Sequence, residues 1–120
     1  MKKIIKIKTF SDKRGYLSFI QQEKLFKFER VYYIYNIKKK TIRGNHYHKK
    51  NRQFMICLKG KLELRIENIK TKKKSKFVLD NPQKGVFLEN YEYHVMTCHR
   101  NSIILVLAEK KYSKKDYYVK

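Results

Sequence analysis

Apolar and polar residues alternate with period two through most of this chain, and turn chemistry cuts the pattern at short intervals. Leu62, Leu64 and Ile66 alternate with Lys61, Glu63, Arg65 and Glu67. Successive side chains on a strand point to opposite faces, so such a run buries one face and shows charges of both signs on the other. Near the start, Ile5, Ile7 and Thr9 take one face while Lys6, Lys8 and Phe10 take the other, a first strand with lysines guarding an edge. Residues 30–37 set Val31, Tyr33, Tyr35 and Ile37 on one face and Tyr32, Ile34 and Asn36 on the other. Further strands are expected over 16–20, 41–48, 53–58, 77–79, 86–89, 94–97 and 103–108. Ser11, Asp12 and Gly15 mark one turn, and Asn81-Pro82 with Gly85 marks another. Residues 38–40, 49–52, 59–60 and 68–76 read as charged loops and turns. Residues 21–27 form a short helical turn or a loop, and the tail from Glu109 a short helix or a loose end. No long amphipathic helix interrupts this series, which predicts an all-β fold, a sandwich or a small barrel. Small barrels keep an interior whose mouth is a common ligand site.

At 120 residues the chain is expected to form one domain with a single core. Hydrophobic content of 42% and aromatic content of 14% exclude a disordered chain. There are 31 basic and 10 acidic residues, for a formal charge of +21. Such a field steers anionic ligands. The cations are mostly lysines scattered through every segment, whereas nucleic-acid surfaces cluster Arg and Lys with aromatics on one face. Solvated faces are expected, with no nucleic acid as partner, and the lysines of 68–76 are read as a solvated loop tip. Cys57 and Cys98 lie in apolar contexts, where free Cys acts as a small hydrophobe, and their spacing suggests neither zinc nor a disulfide. The start resembles a signal peptide, but Lys6 and Lys8 break its apolar region. No run is long enough to span a bilayer, so a cytoplasmic, membrane-independent protein is expected.

The chemistry concentrates around Arg43-Gly44-Asn45-His46-Tyr47-His48. In a strand, His46 and His48 point to the same face. Gln53 follows at the head of the next strand, and His94 comes later, after Gly85, so imidazoles and an amide can converge on one cavity. Tyr35 and Tyr33 are expected to face that cavity. His99, at a strand end, is read as a surface residue.

His46-x-His48, a short spacer, Gln53, then Gly60 resembles the first cupin motif, and the stretch from Gly85 to His94 resembles the second. More narrowly, the chain resembles the WxcM-like sugar-nucleotide 3,4-ketoisomerases. The matching stretches are Asp12-Lys13-Arg14-Gly15-Tyr16-Leu17, Arg30-Val31-Tyr32-Tyr33-Ile34-Tyr35, Arg43 to Lys49, Asn81-Pro82-Gln83-Lys84-Gly85 and Leu105-Val106-Leu107-Ala108. Two positions depart: Tyr47 stands between the histidines where a small residue is expected, and Lys40 replaces the glycine that opens the first motif. The resemblance implies a cupin jelly-roll barrel over residues 1–120. It implies a homodimer that exchanges an N-terminal strand, residues 1–10. The implied substrate is a dTDP-linked 4-keto-6-deoxyglucose, converted to a 3-keto isomer on the way to a 3-amino-3,6-dideoxy sugar. It implies no cofactor and no metal; Gln53, where metal-binding cupins carry a carboxylate, is a poor ligand for a hard divalent ion. His48 is then the base, His46 a second proton carrier or orienter, and Tyr35 a relay or a binder of a sugar oxygen. Arg43 serves the enediolate or a phosphate and Arg14 the diphosphate, with Tyr33, Gln53 and His94 completing the substrate-binding set. The competing readings are a metal-dependent cupin enzyme holding an ion on His46, His48 and His94, a non-catalytic cupin that binds an anionic sugar, and a basic nucleic-acid-binding barrel.

Overall fold

A computed structural model describes residues 3–23 and 26–120. Met1 and Lys2, at the head of the expected first strand, and Lys24 and Leu25, inside the expected loop 21–27, lie outside the described residues. The described residues form strands β1 (Ile4–Lys6), β2 (Lys8–Asp12), β3 (Gly15–Phe19), β4 (Arg30–Ile34), β5 (Thr41–His46), β6 (Gln53–Lys59), β7 (Leu62–Asn68), β8 (Lys74–Leu79), β9 (Lys84–Leu88), β10 (Glu92–Cys98) and β11 (Ile103–Ala108), with a 3-10 turn at Lys114–Asp116. One sheet has the order β1-β9-β6-β11-β4, the second β5-β10-β7-β8, and β2-β3 is a separate two-stranded hairpin. Every strand pairing is antiparallel, and the two larger sheets face each other as a jelly roll.

The core follows from the register. Across the first sheet Tyr32, Val106, Met55, Val86 and Ile4 form one row. They face Leu62, Leu64 and Ile66, which lie opposite Cys98, Met96 and His94 on the second sheet. Met55, Leu62, Leu64, Leu79, Val86, Ile104 and Val106 are wholly buried between the sheets, each contributing about 1.5–3 kcal/mol relative to exposure. The next row, Val31, Leu107, Phe54 and Phe87, points outward. There Phe54, Ile56 and Leu107 pack with Ile7 and Phe26 in a second apolar cluster. Burial on both faces explains why β6 reads as a continuous apolar run rather than an alternating one.

Three expectations change. The strand read over 30–37 stops at Ile34, and Asn36 takes φ 58°. Its inward face is the opposite one: Tyr32 and Ile34 pack against the core, whereas Tyr33 and Tyr35 are exposed by 61% and 63%. The period was right, but both faces of β4 carry large apolar groups, so alternation alone does not select the inner one. The first strand splits at Ile7 into β1 and β2, which belong to different sheets. The loop over 68–76 contracts to a tight turn, because β8 starts at Lys74 and Asn68 Oδ1 accepts the N–H groups of Lys70 and Thr71.

Gly85 sits where β9 crosses β6. A Cβ there would come within 2.5 Å of the Phe54 ring and 2.7 Å of the Met55 carbonyl oxygen. The carbonyl belongs to a central strand and has little freedom to yield. Gly85→Ala is expected to lower stability by about 1–3 kcal/mol, read as a lower denaturant midpoint; an unchanged midpoint would contradict this packing.

Candidate active site

The site forms at one end of the barrel, where β10 runs between β5 and β7. Pairing places His94 opposite His46 on one side and Ile66 on the other, with a register shift between His94 and Val95. Gly44, at φ +91°, lets the chains close up: a Cβ there would lie 2.9 Å from the His94 carbonyl oxygen and 3.0 Å from its ring. His48 lies just past the end of β5, and its carbonyl accepts the N–H of Tyr91 at 2.6 Å. The ring centroids of His46 and His94 are 4.7 Å apart, and those of His46 and His48 4.9 Å. His48 and His94 are buried.

The hydrogen bonds fix the tautomers of two rings. His46 Nδ1 donates to the Gly44 carbonyl at 2.9 Å, and His48 Nδ1 donates to the Asp116 carbonyl at 2.7 Å. A carbonyl oxygen only accepts, so the proton resides on Nδ1 and each neutral ring keeps its lone pair on Nε2. His48 Nε2 and His94 Nδ1 are buried without a hydrogen-bond partner. Burial, then the neighbouring His46, pushes the His48 pKa down, and Asp116 opposes the shift. Burial chiefly, with His46 and His48 adding, pushes His94 down to about 3. Both rings are therefore neutral near pH 7.

Beside the rings lies a cavity of about 310 Å³, walled by His46, His94, Arg43, Arg30, Tyr32 and Tyr117. Arg30 comes from the row that also holds Ala108 and Gln53. Its guanidinium lies 5.0 Å from the Tyr32 ring and 5.7 Å from the Tyr112 ring. The Tyr32 hydroxyl donates to Gln53 Oε1 at 3.2 Å, and burial first of all pushes its pKa up to about 12. The phenol stays protonated and serves as a donor.

Of the residues singled out in the sequence, His46, His48, His94 and Arg43 come together here. Gln53 is buried behind the cavity wall, engaged by Tyr32. Tyr33 and Tyr35 face away, stacked on each other at 5.6 Å on the outer side of the first sheet. They do not face the cavity as the alternation suggested. Arg14 sits on the β2–β3 turn, bound to Asp12 at 2.6 Å with its side chain 90% exposed, outside this chain's own cavity wall. His99 is half-buried and paired with Glu63 at 2.7 Å. Among the described residues no group of three or more His, Cys, Asp or Glu side chains is arranged to hold a metal ion.

The tail holds the short helix expected, as a 3-10 turn at Lys114–Asp116, and it is not loose: Tyr118 exchanges two backbone hydrogen bonds with Tyr47, at 2.9 and 3.1 Å. This lays the Tyr117 ring against His46 at 4.6 Å and edge-on to His48 at 4.7 Å. The available signal was the tyrosines Tyr112, Tyr117 and Tyr118 in an otherwise lysine-rich segment.

Comparison with known proteins agrees with this architecture. The family model described as FdtA, WxcM-like, C-terminal matches residues 1–120. A TDP-4-oxo-6-deoxy-alpha-D-glucose-3,4-oxoisomerase from Aneurinibacillus thermoaerophilus is 32% identical over 118 residues, 96% of this chain and 84% of that protein. A histidine-to-asparagine variant of the 3,4-ketoisomerase QdtA from Thermoanaerobacterium thermosaccharolyticum, solved with TDP-4-keto-6-deoxyglucose, superposes with a TM-score of 0.89 at 31% identity, covering 98% of this chain and 86% of that one. The WlaRB TDP-quinovose 3,4-ketoisomerase from Campylobacter jejuni gives 0.91 at 27% identity, covering 98% and 92%. No helix of the described residues is long and apolar enough to cross a membrane.

The buried imidazoles also set the response to acid. His94 titrates at about 3 when folded, against an ordinary 6.5. Its stabilising effect is complete above about 6.5 and is lost as pH falls toward 3, because the unfolded chain takes up a proton that the fold refuses. His94→Gln is expected to shrink the drop in denaturant midpoint between about pH 7.5 and pH 5. An equally steep drop would mean that the acid sensitivity originates elsewhere.

Proposed function

The chain belongs to the WxcM-like family of the FdtA type, and we infer from this premise that it is a sugar-nucleotide 3,4-ketoisomerase acting on a dTDP-linked 4-keto-6-deoxyglucose. The observation that carries the reading is a pair of imidazoles, both protonated on Nδ1, beside a cavity walled by two arginines.

The C3–H of such a sugar is acidic because the C4 carbonyl stabilises the enediolate left behind. His48 Nε2 removes that proton, and the electron pair moves through C3–C4 onto O4. A proton passes from O3 to O4, and the imidazolium delivers its proton to C4 as the C3 carbonyl forms. Atoms and charge balance with no redox group. One positioned acid–base group supplies about 10²–10⁴-fold. His46, which lines the cavity, is the second carrier between the oxygens. The ring of Tyr117 covers His48, so the sugar meets Nε2 once that ring turns aside; Tyr117 is only partly covered, at 39% exposure, and such side-chain turns are fast. Arg43 and Arg30 face the charge that develops on the enediolate and the diphosphate, and a cation fixed in place before the reaction lowers the barrier most. The 3-keto product suits a following transamination toward a 3-amino-3,6-dideoxy sugar.

Arg14 and the hairpin that carries it fit a homodimer. β1 pairs with β9 of its own chain, so the segment free to reach another copy is β2–β3, with Phe10, Tyr16 and Leu17 exposed. The outer face of the first sheet is likewise apolar and open at Val31, Tyr33, Tyr35 and Leu58. Exposed apolar surface of this extent marks an interaction face. In such a dimer Arg14 serves the diphosphate in the partner's cavity. Light scattering is expected to give a dimer and Tyr33→Lys a monomer; a monomeric parent protein would reject this arrangement.

Incubating the protein with dTDP-4-keto-6-deoxyglucose in deuterated buffer is expected to give a 3-keto product with deuterium at C4 by NMR, unaffected by a chelator. His48→Asn is expected to lose about 10²–10⁴-fold in turnover. A loss below tenfold would remove His48 as the base, and stoichiometric bound metal with chelator-sensitive turnover would favour a metal-dependent cupin enzyme.

A further inference from the structure

We propose that Asp116 is a positioning residue for the base: its carbonyl and its carboxylate together hold the Nδ1–H of His48, fix the tautomer that frees Nε2, and share the positive charge when the ring takes up the C3 proton. The proposal rests on the ketoisomerase reading of the same site.

Both oxygen types of one residue converge on one nitrogen. The Asp116 carbonyl accepts from His48 Nδ1 at 2.7 Å, and Oδ2 of its carboxylate lies 3.4 Å from the same atom. The carboxylate is itself held. Oδ1 accepts the backbone N–H of Lys49 at 3.1 Å and Oδ2 that of Lys50 at 3.3 Å. Tyr118 is paired to Tyr47 through the backbone. The tail thus grips the chain on both sides of His48, and the ring cannot turn without breaking one of these bonds.

The charge balance points the same way. The titratable groups facing His48 are His46 from β5, His94 from β10, and Asp116 and Tyr117 from the tail. His46 and His94 lie on the side that disfavours an imidazolium, and Asp116 is the one anion in this set. An imidazolium formed in turnover would otherwise be buried against the His46 ring, a costly arrangement without a paired charge. The carboxylate keeps no proton itself: the proton taken from C3 sits on Nε2, where it exchanges with solvent before C4 is protonated.

Asp116→Asn removes the charge while keeping the main-chain carbonyl and one side-chain acceptor for Lys49 or Lys50. In the free parent protein, ¹⁵N NMR of the histidines is expected to show His48 protonated on Nδ1. In the variant its pKa should fall, because the carbonyl still opposes the downward shift but the carboxylate's charge no longer adds to it. The acid limb of kcat/KM should move down by the same amount, with the plateau about tenfold lower, a fraction of what a general base supplies, and KM little changed. A purely structural role would lower activity without moving the limb. An unchanged or raised His48 pKa in the variant, or a parent ring protonated on Nε2, would overturn the proposal. The parent spectrum decides the tautomer even if the variant does not fold. The NMR shift needs no substrate, so its appearance in a protein without ketoisomerase activity would sink the functional reading while leaving the Asp116–His48 contact standing.

Discussion

The pairing of β10 with β5 and β7 governs both the fold and the site. On one side Cys98, Met96 and His94 oppose Leu62, Leu64 and Ile66, the row that closes the core. On the other, His94 opposes His46. A slip of one residue would turn the whole apolar row of β7 to solvent, so hydrophobic burial fixes the register, and the register fixes which imidazoles meet. The shift between His94 and Val95 has the character of a bulge, which commonly re-aims a side chain beside a functional site. Gly44 completes the arrangement, since any side chain there would press on His94.

Burial then does chemical work. A chain of formal charge +21 would gain little from further cations inside, and the interior keeps its histidines neutral: burial is the leading cause of the downward shift for both His48 and His94. The permanent cations, Arg30 and Arg43, stand on the cavity wall, where an anionic ligand can meet them. Neutral bases inside and fixed positive charge around them suit a reaction whose intermediate is an enediolate. His94 is too deeply buried and too weakly basic to exchange protons near neutrality; its part is to pack against His46 and to weaken any imidazolium that lacks a counter-charge.

How much of this was legible in the sequence depended on whether one period was enough. Alternation marks β4 and β7 and an unbroken apolar run marks β6, and the common face of His46 and His48 follows from their spacing. Period two does not say which face is inner when both are apolar. Alternation therefore points Tyr33 and Tyr35 inward, whereas the core takes Tyr32 and Ile34. The place of Arg30 on the cavity wall is hidden for the same reason, since its position beside Gln53 is a matter of cross-sheet register. The break at Ile7 was equally hidden: Ile7 is buried in the outer cluster, and its side chain gives no sign that the chain changes sheets there.

The tail shows a different limit. A segment with Lys110, Lys111, Lys114 and Lys115 has the composition of a solvated end, and no periodicity orders it. What orders it is a set of contacts between residues remote in sequence. Tyr112 meets the guanidinium of Arg30 on β4. Tyr118 pairs with Tyr47. Lys120 reaches Glu67 on β7 at 2.6 Å. Each is weak alone at a partly exposed site, but together they tie one strap to both sheets, and the strap delivers Asp116 and Tyr117 to His48. The proposed base, a histidine near the middle of the chain, is thus held by residues of the tail. The local sequence around His46-Tyr47-His48 names the nucleus of the site, yet the tautomer that leaves the His48 Nε2 lone pair free is set by a carbonyl 68 residues away.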